Sequence, residues 1–330
     1  MNRRSLLLGT ASLAALGAVA VPHRAAVAQT STYGIPSDFP TLAAAAAALP
    51  APPTGQTITL VIESGHQPMS GLDLVDGDWS HFHITSADPI VTVHPLFAGH
   101  WIAGTRARLP VLATLVDMLG AGDDGYRVHQ VSAGVILEGC GVTNAGGRGL
   151  YVNGGSAAYA VKSVFTHARD RNVWITRGST LDAERADFSN SGGYNAVYVS
   201  RASTAHLEYA DVTNAESNGI VATRSWVDCS GADVSGAGRY GMLAERSGHL
   251  CADKSTAVGC GLNGMRAEDG STAQIKLATI TGSGSGVDIA AVRGSTVYAH
   301  VTKTTNGTPN VADCNVAAFN APSASGVIYA

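Results

Sequence analysis

Five ionisable side chains come into step when the chain is divided at a recurring serine. Asp182 and Glu184 follow Ser179 by three and five residues, His206 and Glu208 follow Ser203 likewise, and Asp228 follows Ser225 by three. Carboxylates gathered this closely repel one another unless they share protons or hold a cation, and such crowding displaces protonation equilibria. A pair of them is also the apparatus of glycoside hydrolysis, one as acid and the other as nucleophile or base. In that chemistry Glu208, central in the group, is the candidate acid and Glu184 or Asp228 its partner. His206 would orient substrate or move a proton. The duller alternative is a solvated sheet face, where polar residues are expected anyway.

Three more columns share the same phase. Tyr151, Trp174 and Tyr198 each stand five residues before a serine, between two apolar positions, so the pattern points them outward. Exposed rings at sheet spacing form a platform for sugar stacking, or else pack under a loop or another subunit. Arg177, Arg201, Arg224 and Arg246 punctuate the turns between the aromatic and acidic columns. Their forks suit the carboxylate of an acidic sugar, with rim salt bridges as the alternative. Asp187, Asp211 and Asp233 stand eight residues past the serine and just before an inward Phe or Val. A carboxylate there bonds local backbone N–H groups; calcium is the one ion left open for it, and no cofactor is required.

The element that must position these columns is a repeat. Ser156, Ser179, Ser203, Ser225, Ser247, Ser271 and Ser295 follow one another at 23, 24, 22, 22, 24 and 24 residues. Self-similarity at such a period means a solenoid, each unit burying its apolar face against its neighbours. Two and four residues past each serine the chain is small or apolar, as at Leu181/Ala183, Val227/Cys229 and Ala273/Ile275. A second alternating run precedes each serine, as at Val173/Ile175 and Val197/Val199, and a third follows at Phe165, Phe188, Val212, Val234 and Ile280. Three short strands per coil of about 23 residues predict an all-β, single-stranded parallel β-helix, right-handed by the preference of parallel crossovers.

Composition agrees. With 39 Gly and only 14% charged residues the chain is turn-rich and long enough for one elongated core, and its net charge of −4 argues against a nucleic-acid partner. Five cysteines make no disulfide framework in a chain this long; Cys229 and Cys251 are expected in one inward column, as a bridge or two buried thiols. Cys-x-x-Cys, P-loop, Gly-x-Ser-x-Gly and His-Glu-x-x-His motifs do not occur.

Residues 1–28 resemble a twin-arginine export signal, with Arg3-Arg4 ahead of an uncharged run and Ala26-Val27-Ala28 as a cleavage site. The implied location is periplasmic or secreted, with no membrane insertion once the signal is removed. An uncleaved anchor is the alternative, though the apolar run is short for a span. Residues 29–110 read as an N-terminal cap and first irregular coils. They include a short Ala-rich helix over Leu42 to Leu49, capped by Asp38 or Thr41 and stopped by Pro50, Pro52 and Pro53. The β-helix follows over 111–305, and 306–330 is a C-terminal cap or oligomerisation tail; a homotrimer is left open.

The ordered words Gly34-Ile35-Pro36-Ser37-Asp38-Phe39-Pro40-Thr41-Leu42, Val61-Ile62-Glu63-Ser64-Gly65-His66-Gln67-Pro68, Asp78-Trp79-Ser80-His81-Phe82 and Arg108-Leu109-Pro110-Val111-Leu112 carry a resemblance. They look like the opening of phage tail-spike or tail-fibre-type β-helix proteins. The resemblance covers roughly 33–145 by words, and the rest of the chain only matches the wider pectate-lyase-like class by period. It supplies no catalytic residue. The export signal departs from the family, whose members assemble in the cytoplasm, and suggests a domesticated, secreted relative. The expectation is an exported protein that binds, and in the enzymatic version cleaves as hydrolase or lyase, a bacterial polysaccharide. The alternative is a non-catalytic adhesin or a structural part of a phage-derived particle.

Overall fold

The computed structural model describes residues 30–53, 56–285, 287–305 and 327–329. The export signal read over 1–28 lies outside these residues, as does the tail read over 306–330 apart from Val327–Tyr329. Alternating apolar residues one coil apart can bury their side chains only if the strands stack in parallel, and they do. The chain forms a right-handed parallel β-solenoid of about 11 turns, about 24 residues each, with a single helix among the described residues.

Three faces run the length of the regular part. The first carries Arg148–Asn153, Arg171–Thr176, Asn195–Ser200, Asn218–Thr223, Tyr240–Glu245 and Asn263–Ala267. The second carries Ala157–Tyr159, Thr180–Asp182, Thr204–His206, Trp226–Asp228, His249–Cys251 and Thr272–Gln274. The third runs from Leu115–Asp117 through Gly141–Thr143 and Val164–Thr166, then by single bridges at Asp187, Asp211 and Asp233 to Thr256–Val258. Leu150, Val173, Val197, Ile220, Met242 and Met265 stack as one buried column, and Phe165 lies on Phe188 at 6.4 Å.

The serine that sets the period has a physical task at the corner between the first and second faces. Each buried hydroxyl accepts the backbone N–H of the serine one coil earlier, Ser156 from Ser132, Ser179 from Ser156, Ser203 from Ser179 and Ser225 from Ser203, at 3.1–3.2 Å. The same hydroxyl donates to a carbonyl in its own turn, as Ser179 does to Thr176 at 2.7 Å. A buried N–H that the β-ladder cannot reach is thereby satisfied on four successive coils, and again at Ser271 by the Ser295 hydroxyl.

One step of the repeat differs from the sequence reading. Ser247 is exposed in a left-handed turn with Arg246, and the ladder position belongs to Gly248, whose N–H reaches Ser271 Oγ at 3.1 Å. A serine does not fit there, because a β-carbon would come within 2.0 Å of the Ala222 carbonyl oxygen. The shift moves the next strand by one residue: Leu250 and Ala252 face the core, and His249 and Cys251 face outward. Cys251 therefore pairs in register with Asp228 and not with Cys229. Cys229 is buried, Cys251 is half-buried, and both are free thiols. Burial pushes the Cys229 thiol well up, and Cys251 is raised by the same cause.

The Ala-rich stretch forms the helix Leu42–Ala48. Thr41 caps it by accepting the N–H of Ala44 at 3.1 Å, while Asp38 instead accepts the N–H of Gly34. Leu42, Ala45 and Ala46 join the solenoid core, so the helix closes over apolar coils as terminal caps must. The coils next to it are more regular than expected, with Thr30–Ile35, Thr57–Ile62 and Phe82–Ser86 stacked in continuous register. At the other end Val327–Tyr329 pairs with Thr296–Tyr298, and Tyr329 stacks on Tyr298 at 5.3 Å.

Candidate functional site

The acidic column forms on the second face as its spacing predicts. Asp182, His206 and Asp228 stand in register on successive coils, with Tyr159 before them and Cys251, Gln274 and Tyr298 after. Glu184, Glu208 and Asp228 each have a partner of their own. Glu184 pairs with Arg185 at 2.6 Å, and Glu208 faces His206 Nδ1 at 3.9 Å. Asp228 accepts the N–H of Ser230 at 3.0 Å and its hydroxyl at 2.7 Å. His206 packs edge-on against Trp226 at 5.2 Å.

The third-face aspartates behave as turn caps. Asp187, Asp211 and Asp233 accept the N–H groups of Ser189, Thr213 and Ser235 at 2.9–3.0 Å. Among the described residues no group of three or more His, Cys, Asp and Glu side chains is arranged to hold a metal ion. Arg177, Arg201, Arg224 and Arg246 line the exposed corner between the first and second faces. All four occupy left-handed turn conformations.

The aromatic column on the first face is continuous, but it is not the bare platform expected. Tyr151, Trp174 and Tyr198 stand in register with ring centroids 5.2 and 6.0 Å apart. Arginines from the neighbouring column lie over the rings. Arg148 sits 3.7 Å from the Tyr151 centroid and 5.0 Å from Trp174, and Arg171 sits 4.9 Å from Trp174 and 5.2 Å from Tyr198. Arg148 is held there by two bonds to Asp124, at 2.6 and 2.7 Å. Tyr151 is consequently only 8% exposed. Alternation does point it away from the core; the arginine then covers it, which period-2 reasoning cannot see.

Beyond Tyr198 the column opens. Its next members are Val221, Leu243 and Arg266, so the wall of rings gives way to a low aliphatic floor. A groove of about 470 Å³ lies on that floor. From Tyr198 to Arg266 it climbs three coils, roughly 14 Å at about 4.8 Å a step. Arg171, Tyr194 and Tyr198 close one end; Arg266, Glu268 and Arg293 close the other. Glu268 is held between Arg266 Nε at 2.8 Å and Arg293 at 2.9 Å. Asn195, Asn218 and Tyr240 form one side wall, and Glu245, bonded by the Thr223 hydroxyl at 2.7 Å, stands on the other. A second groove of about 430 Å³ adjoins it over Gly192, Gly193 and Glu216, and the two share Tyr194, Ser217 and Arg239.

Tyr198 is the member of the sequence-derived set that lines this groove, together with the corner residue Arg293 that continues the arginine line. Tyr194, Arg239, Tyr240, Glu245, Arg266 and Glu268 were not anticipated. One signal was available: Asp170, Tyr194 and Arg239 each stand nine residues before a ladder position, and Ser217 eight before, but only if Gly248 is taken as the ladder residue.

No protein-family model matches the sequence, and no curated protein matches it significantly. No described helix is long and apolar enough to cross a membrane.

Proposed function

We propose that this is an exported β-solenoid that binds a bacterial surface or extracellular polysaccharide along its first face. The observation that carries the proposal is the groove over Val221 and Leu243, themselves almost fully covered, walled by Tyr194, Tyr198, Tyr240 and fixed polar groups. Sugars present apolar ring faces edged by hydroxyls, and a tyrosine offers the matching apolar body and polar tip. The length of the groove along the coil axis suits a chain better than a compact metabolite. The resemblance of residues 33–145 to tail-spike-type proteins is in keeping with a glycan ligand, and the export signal with a secreted relative of them.

The test is binding of the purified chain to a panel of bacterial surface polysaccharides. Tyr194→Ala and Tyr240→Ala should each weaken binding by about tenfold or more, as truncation of a central aromatic anchor does. Absence of binding across the panel, or binding untouched by both changes, would overturn the reading. Cleavage is decided in the same tubes by the appearance of reducing or unsaturated ends. Binding without such products assigns an adhesin.

A further inference from the structure

We infer that the glycan held by this groove is acidic, with a carboxylate taken up by Arg239 in the saddle over Ser217. The inference rests on the polysaccharide reading and narrows it to a substrate class. Tyr194, Ser217 and Arg239 follow one another in one column on successive coils, because the backbone N–H of Arg239 bonds the Ser217 carbonyl and Asn218 N–H bonds that of Tyr194. Tyr194 and Arg239 are thus two steps apart, about 10 Å, with only a small side chain between them. The saddle joins the two grooves, and Tyr194 is 69% exposed.

The charges single out Arg239. Arg171 is held by both carboxylate oxygens of Asp170, at 2.8 and 2.9 Å. Arg266 and Arg293 share Glu268, and Arg293 also reaches Asp269 at 3.1 Å. Arg239 has no carboxylate partner among the described residues; it lies 5.2 Å from the Tyr240 ring, exposed at the saddle. The groove therefore presents one uncompensated guanidinium in a chain whose overall charge is −4. A planar fork fixed against an aromatic ring matches a carboxylate by two parallel bonds. Glu245 and Glu268 belong to the far wall and end of the groove and both already accept bonds, while Glu216, exposed beside Ser217 in the adjoining groove, is the one carboxylate near the saddle and makes no ion pair with Arg239.

The experiment compares acidic exopolysaccharides, alginate and hyaluronate among them, each beside its carboxyl-reduced neutral form, by calorimetry at two salt concentrations. The expected result is at least tenfold tighter binding of an acidic chain than of its reduced form, with only the acidic binding weakened by salt. Arg239→Ala should remove that preference, and Arg239→Lys should restore it only in part, because an ammonium lacks the fork. Lys162→Ala, which removes a charge paired with Glu138 elsewhere, should leave it intact. Equal affinity for acidic and reduced chains would overturn the inference while leaving the polysaccharide reading in place. Failure of every chain to bind would remove that reading, and the inference with it. A sulfated glycan bound in preference to any carboxylate would also overturn it.

Discussion

At the scale of single residues, the decisive correction concerns Trp174. Its column and its outward direction are legible in the sequence, because a period-2 pattern fixes which face a side chain takes. What covers it is not legible, because Arg148 and Arg171 reach it from a neighbouring column by rotamers that no spacing encodes. Read from spacing alone, Trp174→Ala should weaken sugar binding and spare stability. Seated between two guanidiniums, with Nε1 directed at Ser200 Oγ at 3.4 Å, the ring is part of the framework. Trp174→Ala should therefore lower unfolding free energy by about 1–3 kcal/mol, from lost packing and cation–π contact. Chemical denaturation measures this, and a variant as stable as the parent would show that the arginines do not hold the ring. If the protein cleaves its ligand, Glu208→Gln and Glu245→Gln assign the chemistry to a face. Loss of products by a factor of at least about a hundred is expected from whichever carboxyl acts as acid or base.

At the scale of the element, the unit is the corner where the first face turns into the second. The recurring serine marks that corner in the sequence, yet its role is a hydrogen bond between coils and not chemistry. Ser179→Ala would strand the buried N–H of Ser156 and should cost about 1–3 kcal/mol, the range for an unsatisfied buried donor. Gly248→Ala tests the register correction directly. Its new methyl would collide with the Ala222 carbonyl, so a loss of about 1–3 kcal/mol is expected from the forced backbone shift, while Ser247→Ala at the exposed turn should change stability by less than about 0.5 kcal/mol. The reverse order of these two effects would reinstate Ser247 as the ladder residue. The slip arose because a serine, Ser247, fills the second left-handed position of its corner, where Gly178, Ala202 and Gly294 stand after Arg177, Arg201 and Arg293. A serine period takes Ser247 for the ladder residue and so turns Cys251 toward the core.

At the scale of the molecule, a solenoid joins each coil only to its neighbours, so its two ends can respond to solution conditions separately. The ionisable groups are distributed in a way that makes them do so. In the early coils burial holds the imidazoles of His81 and His83 below the ordinary histidine value of 6.5, and His129 is lowered by burial together with Arg127 and Arg177. A group depressed in the folded state favours folding above its unfolded value, and that contribution is lost as pH falls, because the unfolded chain takes up the proton more readily. These coils should thus weaken as pH drops from about 6.5. The last regular coils are governed by Asp288. Its burial would raise it, but bonds from Thr305 and Ser283 outweigh that and hold it below the ordinary carboxylate value of 3.8. By the same sign rule its contribution persists until pH falls below about 3.8. Hydrogen exchange corrected for intrinsic rates, at pH 7 and pH 5, should therefore show protection lost first in strands 57–62, 82–86 and 126–129, while 279–281 and 289–291 retain theirs. Uniform loss along the chain, or loss beginning at the far end, would show that the solenoid opens as one unit and that the buried histidines do not set its acid response.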